Sequence, residues 1–166
     1  MLTEIIQRLI MMAVFCLVQV MVLNRIHVFN CATPMLYVYF AIMFPRNYPR
    51  WAIFLWCFTL GIIIDAFSNT PGVASATLTL IGALQPVLLE LFLSRDADEH
   101  IKVSAKTMNV GKFSHFTIIL TLLFCVVFFA LESFSFFDWL YWLQCVAGST
   151  ILTLIFIFTL ECFRKK

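Results

Sequence analysis

Charged residues are scarce in this chain. Of its 166 residues, 11 are Lys or Arg and 9 are Asp or Glu, which is 12% together, whereas ordinary soluble domains carry about 25%. Apolar types make up 63%. A globule of this size buries only about 70% of its unfolded surface and could not hide that much apolar material. The composition therefore excludes a soluble monomer, a disordered chain and a nucleic-acid-binding module, and predicts an integral membrane protein with one domain, 1–166.

Residues that commonly carry chemistry are also few. The 6 cysteines are scattered and form no C-x-x-C pair, so neither a disulfide framework nor a zinc site is indicated. The three histidines, His27, His100 and His115, show no ligand spacing. The sequence has no serine-nucleophile motif, no glycine-rich phosphate loop and no H-E-x-x-H. We therefore predict no catalytic residues, no metal and no cofactor.

The charges divide the chain into six long apolar segments. Their apolar residues run continuously, whereas the strands of a membrane barrel would alternate. At about 20 residues per span, six spans take up about 120 of the 166 residues and leave almost nothing for an extramembrane domain. In the second span, Pro34 fits the first turn of a helix, which predicts a helix from Pro34 to near Phe44. We predict an all-α bundle of six transmembrane helices, with spans at approximately 9–24, 30–44, 51–68, 72–93, 114–132 and 139–162.

The positions of the cations predict the orientation of the bundle. With a cytoplasmic N-terminus, ten of the 11 Lys and Arg residues fall on the cytoplasmic side and only Arg25 falls on the other. Cytoplasmic loops carry an excess of Lys and Arg, so both termini are expected in the cytoplasm. Arg46 and Arg50 lie in a tight inner turn, which either contacts anionic lipid or a cytoplasmic partner or serves as a topology signal alone.

Asp65 is the first candidate for a functional residue. It ends the run GIIID at 61–65 and precedes the run FSNTPG at 67–72. An ionisable residue within a span usually faces the bundle interior and often marks a site. At the outer end of the third span, however, an Asp is ordinarily solvated or caps the following turn, and the residues alone favour this second interpretation. Glu90, near the inner end of the fourth span, is interpreted as an interfacial carboxylate near Arg95.

Small residues follow one face of the fourth span. Because small side chains allow helices to approach closely in lipid, this spacing predicts a central, packed helix. The face would also suit the lining of a cavity, but packing is the commoner outcome. The residues at positions i, i+4, i+7 and i+11 are Gly72, Ala76, Thr79 and Ala83.

Between Pro34 and Pro86 the sequence resembles the bacterial rod shape-determining protein MreD. The resemblance rests on PML at 34–36, the basic turn at 46–50, GIIID at 61–65, a turn ending in Pro71-Gly72 and the small-residue helix that follows. The opening QVMVL at 19–23 also fits the first span of that family. The run FSNTPG at 67–72 is similar to the corresponding turn in family members from Bacteroidota. The one departure is Ile62, where the family usually has Leu.

The resemblance implies a non-enzymatic scaffold subunit of the cell-elongation machinery that builds peptidoglycan. Such a subunit sits in the inner membrane with MreC and functions, directly or indirectly, with MreB, RodA and the elongation transpeptidase. It would bind partners through transmembrane helices and cytoplasmic loops, and would contact membrane lipid but no nucleic acid. By the family pattern, Asp65 with Gly61 and Gly72 is the expected functional cluster. Further expected site residues are Pro34, Pro71, Arg46 and Arg50.

Two other functions are weighed against the scaffold. The MreD family is similar in fold to the substrate-binding subunits of energy-coupling-factor transporters, which makes a vitamin-like small-molecule-binding subunit the alternative. That class commonly has A-x-x-x-A in its first span, whereas here Ala13 is followed four residues later by Leu17. An intramembrane enzyme using Asp65 and Glu90 is disfavoured, because the predicted topology places the two acids near opposite membrane faces.

Overall fold

The computed structural model describes residues 2–23, 33–46, 48–93, 103, 109–133 and 139–165. Over these residues it is 85% helical and contains no strand. The predicted all-α class and the count of six helices are therefore confirmed. The helices are α1 (Leu2–Met21), α2 (Val38–Ile42), α3 (Arg50–Ser68), α4 (Val73–Phe92), α5 (Val110–Ser133) and α6 (Trp139–Lys165).

Four of these helices, α3 to α6, are long and apolar enough to cross a membrane, judged by length and composition. The apolar part of α1, Ile5–Met21, is shorter. Large apolar side chains on the outer surface are widely exposed, as expected where lipid rather than water surrounds a bundle. These features are those of a multi-pass membrane protein. Prominent examples are Leu17, Leu55, Leu91, Leu140 and Phe163.

The prediction of a helix from Pro34 to Phe44 is wrong. The structure has only the short helix α2 there, and 33–37 is not helical. The cause is tertiary: the first backbone groups of this segment hydrogen-bond to side chains of α1 and α6. These groups are the N–H of Thr33, Met35 and Leu36 and the carbonyl of Pro34. Every residue of α2 is buried, so this segment forms the centre of the bundle. Residues 30–32 of the predicted span lie outside the described residues.

The bundle has two chemically different ends. Arg8 of α1 lies over the rings of Phe44 and Tyr48, 4.6 and 4.3 Å from their centroids, which places the start of α1 beside the turn before α3. We call this end, with Arg8, Arg46, Arg50, Lys112 and Arg164, the basic end. The ends of α3 and α5 and the start of α4 lie at the other end, which we call the Asp65 end. That the basic end faces the cytoplasm is a prediction from the cations.

Helix α4 is packed in the bundle, but on a different face from the one predicted. Gly72 and Ala76 are exposed, while Ser75 and Gly82 are buried. The reason is the close approach of α3: a Cβ at Gly82 would lie 2.9 Å from the Sγ of Cys57. The small residues that permit this approach are therefore those beside the predicted row.

Candidate functional site

Asp65 lies in the last turns of α3, and its carboxylate accepts hydrogen bonds from the following turn and from the start of α4. Its Oδ1 accepts hydrogen bonds from the backbone N–H of Ala74 at 2.8 Å and from the hydroxyl of Thr70 at 3.0 Å. Its Oδ2 accepts one from the N–H of Ser75 at 2.9 Å. The first N–H groups of a helix have no partner within it. Asp65 therefore caps α4 from a neighbouring helix, with its negative charge at the positive end of the helix dipole.

The turn between the two helices is built by the residues of the FSNTPG run. Asn69 ends α3 in the left-handed conformation, with φ 56°. The N–H of Val73 donates to the carbonyl of Thr70 at 3.4 Å, and Gly72 has φ 86° and ψ −8°. These values fit a type II turn with Pro71 at its second position and glycine at its third, where positive φ is required. Gly72 has no side chain to cap α4, which is why Asp65 supplies the acceptor.

Gly61 allows α3 and α4 to come close enough for this cap to form. A Cβ at Gly61 would lie 2.3 Å from the Cα and 2.8 Å from the N of Ser75. Gly61 is one turn before Asp65 on α3, so the glycine contact and the carboxylate act on the same residue of α4. We call Gly61, Asp65, Thr70, Ala74 and Ser75 the α3–α4 clasp.

The structure thus brings four of the predicted site residues into one hairpin, Gly61, Asp65, Pro71 and Gly72. It does not bring Arg46 and Arg50 there, because they lie at the basic end. Pro34 belongs to a third place, the non-helical segment 33–37.

Segment 33–37 is held by polar side chains of two helices. Gln19 of α1 donates from Nε2 to the carbonyl of Pro34 at 3.0 Å and accepts from the N–H of Leu36 at 3.1 Å. On the α6 side, the hydroxyl of Thr153 accepts from the N–H of Met35 at 3.0 Å. The hydroxyl of Ser149 likewise accepts from the N–H of Thr33 at 3.1 Å. Buried non-helical backbone requires such partners.

The sequence analysis predicted no structural role for Gln19 and did not identify Thr153 as a hydrogen-bonding residue. The available signal was the spacing of Ser149 and Thr153, four residues apart on one face of the last span.

A cavity of about 310 Å³ lies beside this segment at the Asp65 end. Tyr37 lines it and is 2% exposed. Its ring packs edge-on against Phe124 at 5.4 Å, but among the described residues its hydroxyl has no hydrogen-bond partner. The cavity thus combines an available hydroxyl with both polar and apolar walls. Its lining residues are Gln19, Thr33, Met35, Tyr37, Ile64, Phe67, Ser68, Thr70, Phe128 and Glu132.

A buried acid, Glu161 of α6, lies nearer the basic end. Glu161 of α6 accepts a hydrogen bond from the hydroxyl of Tyr39 in α2. Arg164 donates to the same hydroxyl at 3.2 Å and lies 3.6 Å from the Glu161 carboxylate. A buried charge needs such a partner. The network therefore joins α2 to the end of α6.

The two acids considered as a catalytic pair are far apart. Asp65 binds Ser75 at the start of α4, and Glu90 lies 15 residues further along the same helix, about 22 Å at 1.5 Å per residue. They therefore cannot act on one substrate atom. Within the described ranges, no group of three or more His, Cys, Asp or Glu side chains could hold a metal ion.

No protein-family model, curated protein or solved structure matches this chain. The resemblance to MreD accordingly rests on the residues quoted for it.

Proposed function

We propose that this chain is a non-enzymatic membrane scaffold subunit of the bacterial cell-elongation complex, as the resemblance to MreD implies. It sits in the inner membrane with both termini in the cytoplasm. Its partners are MreC and, directly or indirectly, MreB, RodA and the elongation transpeptidase. The observation that carries the proposal is the α3–α4 clasp, in which the acid of the family-like motif accepts three hydrogen bonds within its own chain. A carboxylate used in this way supports a rigid frame rather than proton transfer.

The outer surface of α1 fits this proposal. Ile10, Val14, Leu17 and Met21 are 51–68% exposed and share one face, because their spacing is i, i+4, i+7 and i+11. Transmembrane helices associate by van der Waals packing of such faces and by interhelical hydrogen bonds. A partner helix could therefore pack along α1 without rearranging the bundle.

Crosslinking in the native membrane followed by affinity purification of the tagged full-length chain tests the function. We expect to recover MreC together with wall-synthesis enzymes, because a scaffold holds them at stoichiometric levels. Recovery of a pair of ATPases instead would establish the transporter alternative. Recovery of neither group from membranes of growing cells would contradict the scaffold proposal.

The second candidate function, a small-molecule-binding transporter subunit, is favoured by one observation. The cavity at the Asp65 end has a volume of about 310 Å³, within the usual range of about 300–1,000 Å³ for ligand pockets. The hydroxyl of buried Tyr37 is available to a molecule within it. A ligand with a hydrogen-bonding group and an apolar body would match these walls.

Tyr37→Phe separates a ligand-binding role of this hydroxyl from a structural one. The substitution keeps the ring contact with Phe124 and removes a hydroxyl that has no partner in the described chain, so we expect the unfolding midpoint in detergent to stay unchanged or rise slightly. Under the transporter function, native mass spectrometry would show a bound small molecule on the wild type that is lost from the variant.

Tyr39→Phe is the matched control, because the Tyr39 hydroxyl bonds to Glu161 and Arg164. We expect this variant to unfold earlier than the wild type. An equal loss of stability in the Tyr37 variant would show that its hydroxyl has a structural partner.

A further inference from the structure

A second cavity, of about 430 Å³, opens at the basic end. Its walls contain both signs of charge: the guanidinium groups of Arg46, in the turn before α3, and Arg50, at the start of α3, and the carboxylate of Glu90 in α4. Among the described residues, the structure gives neither Arg50 nor Glu90 an ion-pair partner. The lining residues are Arg46, Tyr48, Pro49, Arg50, Pro86 and Glu90.

Phe44 and Tyr48, on either side of Arg46, are held by side chains of three helices. Gln85 of α4 donates from Nε2 to the carbonyl of Phe44 at 3.0 Å. Trp56 of α3 donates from its indole N–H to the hydroxyl of Tyr48 at 3.2 Å. Arg8 of α1 stacks on the rings of the same two turn residues. The cavity is therefore a preformed part of the bundle, which lowers the entropic cost of binding a ligand.

We propose that this cavity binds the headgroup of phosphatidylethanolamine. Arg46 and Arg50 hold the phosphate through charge-assisted hydrogen bonds, and Glu90 accepts hydrogen bonds from the primary ammonium. Arg50 is also the first residue of α3, so the positive end of that helix dipole adds to the attraction for phosphate. The proposal goes beyond the scaffold function and does not depend on it.

The surroundings of the cavity favour a lipid over a cytoplasmic protein. Trp51, Val87 and Leu91 are exposed apolar residues on the same two helices, next to the lining residues in sequence. Both helices are candidate membrane spans, so acyl chains can lie along them while the headgroup occupies the cavity. Trp51 is placed as an interfacial anchor would be.

The pairing of charges predicts which headgroup binds best. Phosphatidylglycerol offers a phosphate but no cation, so Glu90 repels it. Phosphatidylcholine carries a quaternary ammonium without an N–H to donate. Phosphatidylethanolamine alone of the three satisfies both the arginines and the carboxylate by hydrogen bonds.

The test is native mass spectrometry of the full-length chain released from vesicles that contain equal amounts of the three lipids with identical acyl chains. We expect phosphatidylethanolamine to be retained in preference to the other two. Because a hydrogen bond to a charged group is worth a factor of about ten or more, Arg50→Gln should weaken that retention about tenfold. Arg50→Lys should lie between the two, because it keeps the charge but loses the fork geometry.

Glu90→Gln should remove the preference for phosphatidylethanolamine over phosphatidylglycerol while leaving retention of phosphate-bearing lipid intact. Lys112→Gln is the matched control, since it removes an exposed cation from the same end but outside the cavity, and it should retain the wild-type pattern. The unfolding midpoint of each variant establishes that it is folded.

Three results would overturn the proposal. The first is equal retention of the three lipids by the wild type. The second is a preference unchanged in both Arg50→Gln and Glu90→Gln. The third is binding of inorganic phosphate or of an acidic cytoplasmic protein at this cavity with no lipid preference.

Discussion

A Gly61→Ala chain is expected to unfold at a markedly lower temperature than the wild type. The added methyl group would lie 2.3 Å from the Cα of Ser75 and 2.8 Å from its N, which are backbone atoms that no rotamer change can move. Helices α3 and α4 would have to separate, and this separation would also stretch the hydrogen bonds to Asp65. Overpacking a core usually costs about 1–3 kcal/mol, and we expect this substitution at or above the upper end of that range.

Two other glycines of the chain provide matched controls. At Gly82 the nearest atom to an added Cβ is the Sγ of Cys57 at 2.9 Å, the end of a side chain, so Gly82→Ala should destabilise the chain less. At Gly111, in the first turn of α5, no atom of the described residues lies within 4 Å of an added Cβ. Gly111→Ala should therefore be neutral or stabilising by up to about 1 kcal/mol, the difference in helix propensity.

The measurement is the unfolding midpoint of the three variants in one detergent. We expect Gly111→Ala to be the most stable of the three, Gly82→Ala to be intermediate and Gly61→Ala to be the least stable. A Gly61→Ala chain as stable as Gly111→Ala would contradict the close approach of the two helices. If the clasp is the frame that partners require, Gly61→Ala should also lower the recovery of MreC in the crosslinking experiment, and Gly111→Ala should not.

The helical class and the number of helices could be predicted from the sequence because they depend on local properties. Continuous apolar runs specify helices wherever the lipid prevents exposed backbone groups, and the few charges mark where those runs end. The identity of the packed face of α4 could not be read in the same way. Small residues lie on more than one side of that helix, and only the position of Gly61 on α3 selects Ser75.

The second span shows where local patterns fail. Pro34 is compatible with a helix start, and nothing near it in sequence argues against one. What prevents the helix is the set of acceptors and donors on Gln19, Ser149 and Thr153, of which the last two are more than 100 residues away. Tertiary hydrogen bonds of this kind override helix propensity. For the same reason, the network of Tyr39, Glu161 and Arg164 could not be predicted from the sequence.

Asp65 combines the two interpretations that its sequence position left open. It is buried, at 7% exposure, as an acid within a span would be, and it is also a cap. The sequence could suggest a cap but not its target, because the capped N–H groups belong to the next helix, nine and ten residues away. An acid placed shortly before a Pro-Gly turn and a helix start is the sequence pattern that indicates this target.

Replacing Asp65 is therefore expected to destabilise the hairpin in proportion to the hydrogen bonds removed. Asp65→Ala leaves the N–H groups of Ala74 and Ser75 and the hydroxyl of Thr70 without their acceptor, which we expect to cost about 3 kcal/mol or more. Asp65→Asn keeps one acceptor oxygen but turns an NH₂ group toward a donor, and should cost less. Thr70→Val removes only one of the three bonds, at about 1 kcal/mol. In detergent, Asp65→Ala should have the lowest unfolding midpoint, Asp65→Asn a higher one and Thr70→Val the highest of the three.

The same series distinguishes a structural role of Asp65 from direct contact with a partner. If the carboxylate acts through the clasp, Asp65→Asn should still insert into the membrane, and the loss of partner recovery and of rod shape should follow the loss of stability across all three variants. A carboxylate that touches a partner would instead give an Asp65→Asn chain of wild-type stability that recovers no MreC. Normal rod growth with normal recovery in that variant would show that neither role is needed. Because three hydrogen bonds already occupy the carboxylate, we expect stability and partner recovery to fall together.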